Sequence, residues 1–158
     1  MLRKNPTRRS KTDGGCFAIV ASQYNARFVD SMLRAAQAEL KLAGAKEIKV
    51  LRVPGAYEIP VVAARVAVSR KFAAVICLGV ILRGETTHAA HIGEAVSGAL
   101  MEIQLATGVP VIHEVLLLEN VAQAEVRCLN PKHNRGREAA HTAAAMARVM
   151  VGLEGQGL

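Results

Sequence analysis

Apolar residues follow two different patterns along this chain, and the two patterns alternate. Short apolar or alternating runs predict strands at residues 16–22, 47–53, 73–82 and 111–118. Longer segments with apolar residues every three to four positions predict helices at 27–43, 58–69, 87–107, 119–127 and 136–151. Gly44 and Gly108 follow two of these segments, as expected for residues that end helices.

The alternation of strands and helices predicts the fold class. Four strand–helix repeats indicate an α/β protein, a three-layer αβα sandwich around a four-stranded parallel sheet. Ligands of such sheets bind at the carboxyl ends of the strands. The loops that follow the four predicted strands are residues 22–26, 54–58, 82–88 and 117–120. We therefore expect the functional site to be built from these loops.

Length and composition favour one domain. The chain has 158 residues, of which 51% are apolar and 3% aromatic, with no Trp, so Ala, Val, Leu and Ile must form the core. We predict a basic N-terminal arm at 1–13, a single domain at 14–154 and a C-terminal tail at 155–158. The sequence predicts neither a membrane span nor a secretory signal.

The positive charge is concentrated at the N-terminus. The formal net charge is +7, and five positive charges lie in the arm, at Arg3, Lys4, Arg8, Arg9 and Lys11. A basic arm on a nearly neutral body can bind nucleic acid. The arm has no aromatic residue that could stack on bases, and a solvated terminus is the simpler interpretation. Nucleic-acid binding is therefore disfavoured.

Cysteine and histidine patterns favour neither a disulfide framework nor a metal site. The three cysteines, Cys16, Cys77 and Cys128, form no CxxC motif, which is typical of reduced thiols in a cytoplasmic protein. A second group, His88, His91 and Glu94, shares one face of a predicted helix. Zinc sites more often pair histidines four residues apart and need further ligands, so we predict no metal.

Two loops carry residues suited to an organic ligand. Tyr24 follows the first strand, where its ring could stack on a flat ligand or simply lie on the surface. Glu58 follows the turn at Pro54-Gly55 and precedes a helix. Its carboxylate could cap that helix or accept hydrogen bonds from the hydroxyls of a sugar-like ligand.

The segment Arg83-Gly84-Glu85-Thr86-Thr87-His88 is the most informative one. It joins the most apolar strand to the longest predicted helix. Backbone N–H groups at a helix N-terminus suit a phosphate, and Gly84 permits its close approach. His88 in the first helical turn could transfer a proton. The alternative is a capping loop beside a surface histidine.

A second cationic segment runs from Arg127 to Glu138 and contains Arg127, Arg135 and Arg137. Arginine is suited to phosphate or carboxylate recognition, although a solvated basic turn is also compatible with this composition. Glu138 could pair with one of the arginines. Cys128 has no base arranged beside it in the sequence, so we interpret it as structural.

Taken together, these loops resemble the lumazine synthase family. The resemblance is carried by Ala21-Ser22-Gln23-Tyr24-Asn25, Val53-Pro54-Gly55-Ala56-Tyr57-Glu58-Ile59-Pro60, Leu78–His88, Thr107–Val111, Asn134-Arg135-Gly136 and Glu138–Ala140. It extends from about residue 16 to residue 151. The VPGAYEIP and RGETxH motifs in this order are specific, whereas the loops alone indicate only a ligand that contains phosphate.

The resemblance implies a flavodoxin-like sheet and a transferase of riboflavin biosynthesis. The family condenses 5-amino-6-(D-ribitylamino)uracil with 3,4-dihydroxy-2-butanone 4-phosphate. The products are 6,7-dimethyl-8-ribityllumazine, phosphate and water. The family needs no metal or organic cofactor, since alignment of two reactants and proton transfer are sufficient for this condensation.

The resemblance also implies roles for individual residues. His88 would be the catalytic proton-transfer residue. Residues that would bind the pyrimidine and its ribityl chain are Tyr24, Ala56, Tyr57, Glu58, Val80, Ile81 and Leu82. Residues that would bind the phosphate are Gly84, Glu85, Thr86 and Arg127. His113 stands where a Phe commonly packs over the pyrimidine, and Arg135 stands where the family usually has Lys, near the ligands.

The family's sites lie between subunits, which implies a homo-oligomer. His113, Arg127 and Arg135 would come from the chain next to the one that supplies Tyr24 through His88. Family members form pentamers, paired pentamers or shells of sixty chains, and association with riboflavin synthase is implied as well. The N-terminal segment usually adds a strand to a neighbour's sheet.

Some positions depart from the family pattern. His113 could titrate where Phe cannot, Glu114 and Leu117-Leu118 replace smaller or hydroxyl residues, and residues 128–133 replace a Gly- and Lys-containing loop. These departures leave one alternative open, a non-catalytic relative that binds a flavin-like compound or forms a shell. His88, Glu58 and Arg127 are retained, so we expect an active enzyme.

Overall fold

The computed structural model describes residues 14–158, and the basic arm at 1–13 lies outside the described residues. The strands are β1 (Cys16–Ser22), β2 (Glu47–Val53), β3 (Ala74–Leu82) and β4 (Val111–Leu118). The helices are α1 (Ala26–Leu42), α2 (Ile59–Val68), α3 (His88–Thr107), α4 (Val121–Ala124) and α5 (Arg135–Gly155). A 3-10 turn (Ala56–Glu58) precedes α2, and a π-helical turn (Glu125–Leu129) follows α4.

The four strands form one parallel sheet in the order β2-β1-β3-β4. Helices pack on both faces, with α1 and α5 on one and α2 and α3 on the other. This confirms the predicted parallel α/β sandwich. Strand β2 lies on one side of β1 and β3 lies on the other, so the direction in which strands are added to the sheet switches at β1. Parallel sheets bind ligands at the carboxyl ends of the strands at such a switch point.

Two predicted helices differ in detail from the observed ones. The segment predicted as one helix at 119–127 begins as α4 only at Val121, because Asn120 is extended and its side chain caps the helix by accepting from the Gln123 N–H. The backbone then widens into the π-helical turn. Residue 58, predicted to begin a helix, instead ends the 3-10 turn before α2.

The core has two layers, one on each face of the sheet. The layer under α1 and α5 includes Phe17, Ile19, Met32, Leu40 and Ile76, and the layer under α2 and α3 includes Val20, Ile59, Val75, Val96 and Leu100. Aliphatic side chains fill most of both layers. None of the described helices is long and apolar enough to cross a membrane.

Helices α1 and α5 pack so closely that one contact admits only glycine. Gly136, in the first turn of α5, lies against the backbone of Met32 in α1, and a Cβ at this position would overlap the Met32 carbonyl group. This contact fixes the start of α5, and therefore Arg135, relative to the sheet.

Candidate active site

A cleft of about 890 Å³ opens at the carboxyl end of the sheet. It lies between the loop after β1, the turn after β2, the end of β3 and the first turns of α3. Its lining residues are Tyr24, Asn25, Gly55, Ala56, Tyr57, Glu58, Val80, Ile81, Leu82, His88, His91, Ile92 and Ala95. This is the end of the sheet at which the sequence predicts the site.

The loop after β1 is held in place by its backbone and by Asn25. The Tyr24 N–H donates to the Pro54 carbonyl oxygen at 3.0 Å. Asn25 adopts a left-handed conformation, with φ of 57°, and its side-chain amide donates to the Val80 carbonyl oxygen at 2.7 Å. Asn tolerates this backbone conformation better than most residues. Asn25 therefore joins the loop to the end of β3.

The Tyr24 ring forms one wall of the cleft and packs over Gly55. The Tyr24 residue is 70% exposed. A Cβ on Gly55 would lie 2.9 Å from the Tyr24 ring and 2.9 Å from a Glu58 carboxylate oxygen. Glycine at position 55 therefore allows the ring and the carboxylate to approach the same turn. The exposed ring face is suited to stacking on a flat ligand.

Glu58 has the capping role that the sequence allowed as one alternative. Its Oε2 accepts a hydrogen bond from the Gly55 N–H at 2.9 Å, which fixes the carboxylate against the turn. The residue is half-buried and belongs to the cleft wall. The hydrogen bond thus holds a carboxylate in the cleft without removing it from solvent. A carboxylate in this position can also accept hydrogen bonds from ligand hydroxyls.

The loop between β3 and α3 is tied to β4 at one end and leads into the cleft at the other. The Arg83 N–H donates to the Leu118 carbonyl oxygen at 2.8 Å, and the Arg83 guanidinium pairs with Glu119 at 3.1 Å. The His88 N–H donates to Thr86 Oγ1 at 3.4 Å. Gly84, Glu85 and Thr86 are exposed and do not belong to the cleft wall.

His88 and His91 line the cleft from successive turns of α3, but Glu94 does not. Within residues 14–158, no group of three or more His, Cys, Asp or Glu side chains is arranged to hold a metal ion. His88 is exposed, so its ring can reach a ligand in the cleft.

His113 lies outside the cleft, on the face of β4 that packs against α3. Its Nδ1 accepts from the Val115 N–H at 3.1 Å, and its Nε2 lies 2.7 Å from Ser97 Oγ. Because Nδ1 accepts, the neutral ring carries its proton on Nε2 and donates to Ser97. Burial lowers the pKa of His113 below its ordinary value, which favours this neutral form.

Arg135 lies on the opposite face of β4, where carboxylates surround it. Its Nε and NH2 groups donate to the two oxygens of Glu114, each at 3.0 Å, and its NH1 donates to Glu138. Glu114 is only 6% exposed. Burial raises the pKa of Glu114, although the positive charges of Arg135 and Arg127 oppose this increase.

Arg127 projects from the π-helical turn, a type of irregularity often found at functional sites. Two side chains fix this turn through the Cys128 carbonyl oxygen, which accepts from Ser31 Oγ at 2.7 Å and from the Asn134 amide. The Asn134 oxygen in turn accepts from the Gly136 N–H at 2.9 Å and caps α5. One buried asparagine therefore joins the turn to the helix that carries Arg135.

The Cys128 thiol has no reactive character in this setting. Burial, together with the negative charge of Glu114, raises its pKa to about 11. The thiol therefore stays protonated near neutral pH and is a poor nucleophile.

The structure brings together eight of the predicted site residues and leaves six elsewhere. Those that line the cleft are Tyr24, Ala56, Tyr57, Glu58, Val80, Ile81, Leu82 and His88. Those outside it are Gly84, Glu85, Thr86, His113, Arg127 and Arg135. Sequence reasoning missed two polar groups, Asn25 in the cleft and the buried Glu114. The position of Asn25 directly after a buried strand was the available signal for the first.

Comparison with known proteins gives a consistent result. A family model described as 6,7-dimethyl-8-ribityllumazine synthase matches residues 14–151. A protein of that name from Xanthomonas oryzae pv. oryzae (strain PXO99A) is 44% identical over 136 residues, which are 85% of this chain and 88% of the relative. Another from Stenotrophomonas maltophilia (strain K279a) is 42% identical over the same shares of both chains. The family match includes every residue of the cleft.

Proposed function

This chain belongs to the 6,7-dimethyl-8-ribityllumazine synthase family, and from that premise we propose which of its residues carry out the reaction. The protein is a transferase of riboflavin biosynthesis. It condenses 5-amino-6-(D-ribitylamino)uracil with 3,4-dihydroxy-2-butanone 4-phosphate to form 6,7-dimethyl-8-ribityllumazine. Nothing in the comparisons favours a non-catalytic relative.

The observation that carries the residue assignment is the cleft. Eight residues assigned from the family resemblance meet there, although they come from four separate segments of the chain. The cleft combines an exposed aromatic ring, a fixed carboxylate and a histidine, which suit a flat ring, a polyhydroxyl chain and a proton transfer respectively. We assign the pyrimidine substrate to this cleft.

Within the cleft, Tyr24 stacks on the pyrimidine and Glu58 accepts hydrogen bonds from the ribityl hydroxyls. The backbone groups of residues 80–82 read the edge of the pyrimidine, and Ala56 and Tyr57 border the ribityl chain. The Asn25 amide supports this edge, because it holds the Val80 carbonyl group at 2.7 Å. Binding of this kind aligns the two reactants, which can supply much of the rate acceleration.

The phosphate of the butanone binds at the start of α3, against the backbone of Gly84, Glu85 and Thr86. Helix α3 has 20 residues, and its first N–H groups favour an anion. Arg127 closes the site from the opposite side. Its guanidinium has no ion pair within residues 14–158 and is available to bind phosphate.

The reaction then needs a series of chemical steps. The pyrimidine amine attacks the ketone and forms an imine with loss of one water, and phosphate then leaves by elimination to give an enol. The enol tautomerises to a ketone, and the ribitylamino nitrogen attacks that ketone and closes the ring with loss of a second water. Each step moves a proton to or from a reacting atom. His88 lines the cleft beside the bound pyrimidine and is the group that transfers these protons.

The site is completed by a neighbouring subunit. His113, Arg127 and Arg135 lie on β4 and the segments that follow it, apart from the cleft of their own chain. In a ring of chains, the β4 side of one subunit can face the cleft of the next and supply these residues. Exposed apolar side chains on α3, at Met101 (53% exposed) and Leu105 (76% exposed), favour contact with another copy.

We assign a homopentamer as the assembly, with a shell of sixty chains as its larger form. Sedimentation analysis of the purified protein distinguishes a monomer, a pentamer and a shell by mass. Association with riboflavin synthase, which would use the product, follows from the same pathway step. The three cysteines are free, which is compatible with a cytoplasmic location.

The experiment that tests this function follows formation of the lumazine by its absorbance and green fluorescence. The wild-type protein, the Arg127→Ala variant and the uncatalysed mixture are compared at equal substrate concentrations. A rate above background that falls in the variant supports both the activity and the role of Arg127. A wild-type oligomer with only the background rate would contradict the function, and an unchanged variant would contradict the Arg127 assignment alone.

A further inference from the structure

Arg135 is the second arginine of the site, yet its charge is already balanced. All three nitrogens of its guanidinium donate to carboxylates, two of them to Glu114 and the third to Glu138. The contact with Glu114 is a bidentate pair with both distances at 3.0 Å, which is the strongest geometry for such a pair. One positive charge therefore faces two negative ones.

Glu114 is unusual for a glutamate in the middle of a strand. It is 6% exposed, and glutamate is rarely buried to this extent unless it is paired. Its neighbours in β4 on the same face of the sheet are apolar, at Ile112 and Leu116. A carboxylate is costly to bury, so the strand position is explained by the ion pair that it makes.

Arg127 differs from Arg135 in its surroundings. No ion pair and no side-chain hydrogen bond of its guanidinium occurs in the part of the chain that the structure describes. It nevertheless lies within electrostatic range of Glu114, because its positive charge slightly opposes the increase that burial causes in the pKa of that carboxyl group. The two arginines, Glu114 and Glu138 thus form one group whose formal charges sum to zero.

We propose that Glu114 is a positioning residue that neutralises Arg135 and thereby sets the anion affinity of the site, leaving Arg127 as the guanidinium that binds phosphate. This inference rests on the proposed assignment of Arg127 to the phosphate. Without the Glu114 carboxylate, Arg135 would keep its contact with Glu138, but its Nε and NH2 groups would become available to phosphate, and the released product would be retained. The buried carboxylate therefore lowers the affinity of the site for phosphate enough for the inorganic product to leave, while Arg127 still binds the phosphorylated substrate.

The test uses the full-length assembled protein and inorganic phosphate as an inhibitor. Glu114→Gln keeps the shape of the side chain and raises the charge of the group by one. We expect the inhibition constant for phosphate to fall by about fivefold. The positive charge of Arg135 would no longer be offset by Glu114, and charges attract each other more strongly where bulk water is partly excluded. The KM for the butanone phosphate should fall in parallel, kcat should fall because phosphate leaves more slowly, and the KM for the pyrimidine should stay constant.

Glu125→Gln is the matched control. It removes one negative charge from the same turn that carries Arg127, but Glu125 pairs with Arg27 at 3.0 Å and not with Arg135. We expect the wild-type inhibition constant in this variant. An equal decrease in both variants would show a general effect of net charge and would overturn the proposal, as would no change in Glu114→Gln.

A double variant keeps the proposal testable if Glu114→Gln fails to fold. Glu114→Leu with Arg135→Met replaces the buried ion pair by apolar side chains of similar size, a change that proteins often tolerate. Because Arg135 contributes no anion binding when Glu114 neutralises it, phosphate inhibition should match the wild type. A loss of inhibition would show that Arg135 itself binds phosphate and would overturn the proposal.

Arg127→Ala separates this inference from the function on which it rests. An unchanged phosphate inhibition constant in Arg127→Ala would contradict the assignment of Arg127 to the phosphate. A weakened constant in Arg127→Ala, combined with a wild-type constant in Glu114→Gln, would retain that assignment and overturn only the role of Glu114.

Discussion

The cleft differs from the arginine group, which consists of Arg127, Arg135, Glu114 and Glu138, in how far the charges are paired within the chain. The cleft is lined mostly by backbone, apolar and aromatic groups, and its carboxylate stays accessible to a ligand. The arginine group is nearly saturated, since Arg135 is engaged by two carboxylates and Glu114 is buried. In the proposed assignment, the cleft binds a flat ring that carries a polyhydroxylated chain, and the arginine group binds a single phosphate. Their separation within one chain is the reason for proposing that the site is shared between two subunits.

Gly136→Ala should have the largest effect, because it disturbs the contact between α1 and α5 that positions Arg135. The new methyl group would overlap the Met32 backbone, so α5 must shift and carry Arg135 with it. We expect a loss of about 3 kcal/mol in the free energy of unfolding, as for strong overpacking. Chemical denaturation measures this loss. Gly152→Ala on the same helix meets no neighbour and is the control, and equal effects of the two substitutions would contradict the packing argument.

His88→Ala should damage chemistry in the cleft without weakening the binding of either substrate. We expect kcat to fall by about a hundredfold, at the lower end of the range for loss of a proton-transfer group. Steady-state kinetics with both substrates varied measures kcat and each KM. Partial recovery with added imidazole would support proton transfer by the missing ring. A normal kcat with a raised KM for the pyrimidine would instead make His88 a binding residue.

Tyr24→Ala and Arg127→Ala should each weaken the binding of a different substrate, so the pair of variants tests whether the two regions bind different substrates. Loss of the stacking ring should raise the KM for the pyrimidine about tenfold. Loss of the guanidinium should raise the KM for the butanone phosphate by a similar factor, because hydrogen bonds to charged groups are worth about 1.5–3 kcal/mol. If either variant raised both KM values equally, the division of the site into two substrate regions would be wrong.

His113 should give the smallest effect, a change in how stability depends on pH. Burial lowers its pKa in the folded state, so the unfolded chain binds the proton more tightly. Its contribution to stability is therefore complete above the ordinary imidazole pKa and is lost as the pH falls through the lowered one. His113→Phe should lose less stability than the wild type between pH 7 and pH 5.

Two measurements check this prediction. Chemical denaturation at several pH values compares the two proteins, and NMR titration of the His113 ring locates its midpoint directly. A midpoint at or above the ordinary imidazole value would contradict the lowered pKa and the hydrogen-bond arrangement with Ser97 and Val115.

The strands, their parallel arrangement and the position of the cleft could be predicted because each rests on a pattern that local physics enforces. Strands buried on both faces must be apolar over their whole length, and a parallel sheet must carry its loops at one end. The loop residues Tyr24, Glu58 and His88 then fall at that end by position alone. This explains why these three residues could be placed at the site from local patterns, whereas Ala56, Tyr57 and residues 80–82 were implied by the family resemblance.

The arginine group could be predicted only in part. The expected pairing of Glu138 with a nearby arginine is confirmed by its contact with Arg135, but the pairing of Arg135 with Glu114 depends on contact between distant residues. In the run VIHEVLLL, Glu114 is a polar interruption of an apolar strand, and its partner Arg135 lies 21 positions later. The π-helical turn at 125–129 arises because Ser31 and Asn134 bind the Cys128 carbonyl group. No local periodicity encodes such a turn, so a regular helix was predicted there.

Strand β4 lies at the edge of the sheet, and its alternating side chains have a consequence for protein engineering. His113 points to the α3 layer, where it contacts Ser97, and the next residue, Glu114, points to the α5 layer, where it contacts Arg135, so the two side chains have separate partners. The two side chains share no partner in the structure, so substitutions at the two positions should couple only through the backbone that they share, and a double-mutant cycle measures that coupling. Two adjacent codons thus address two different layers of the protein, one through the contact of His113 with Ser97 and the other through the contact of Glu114 with Arg135.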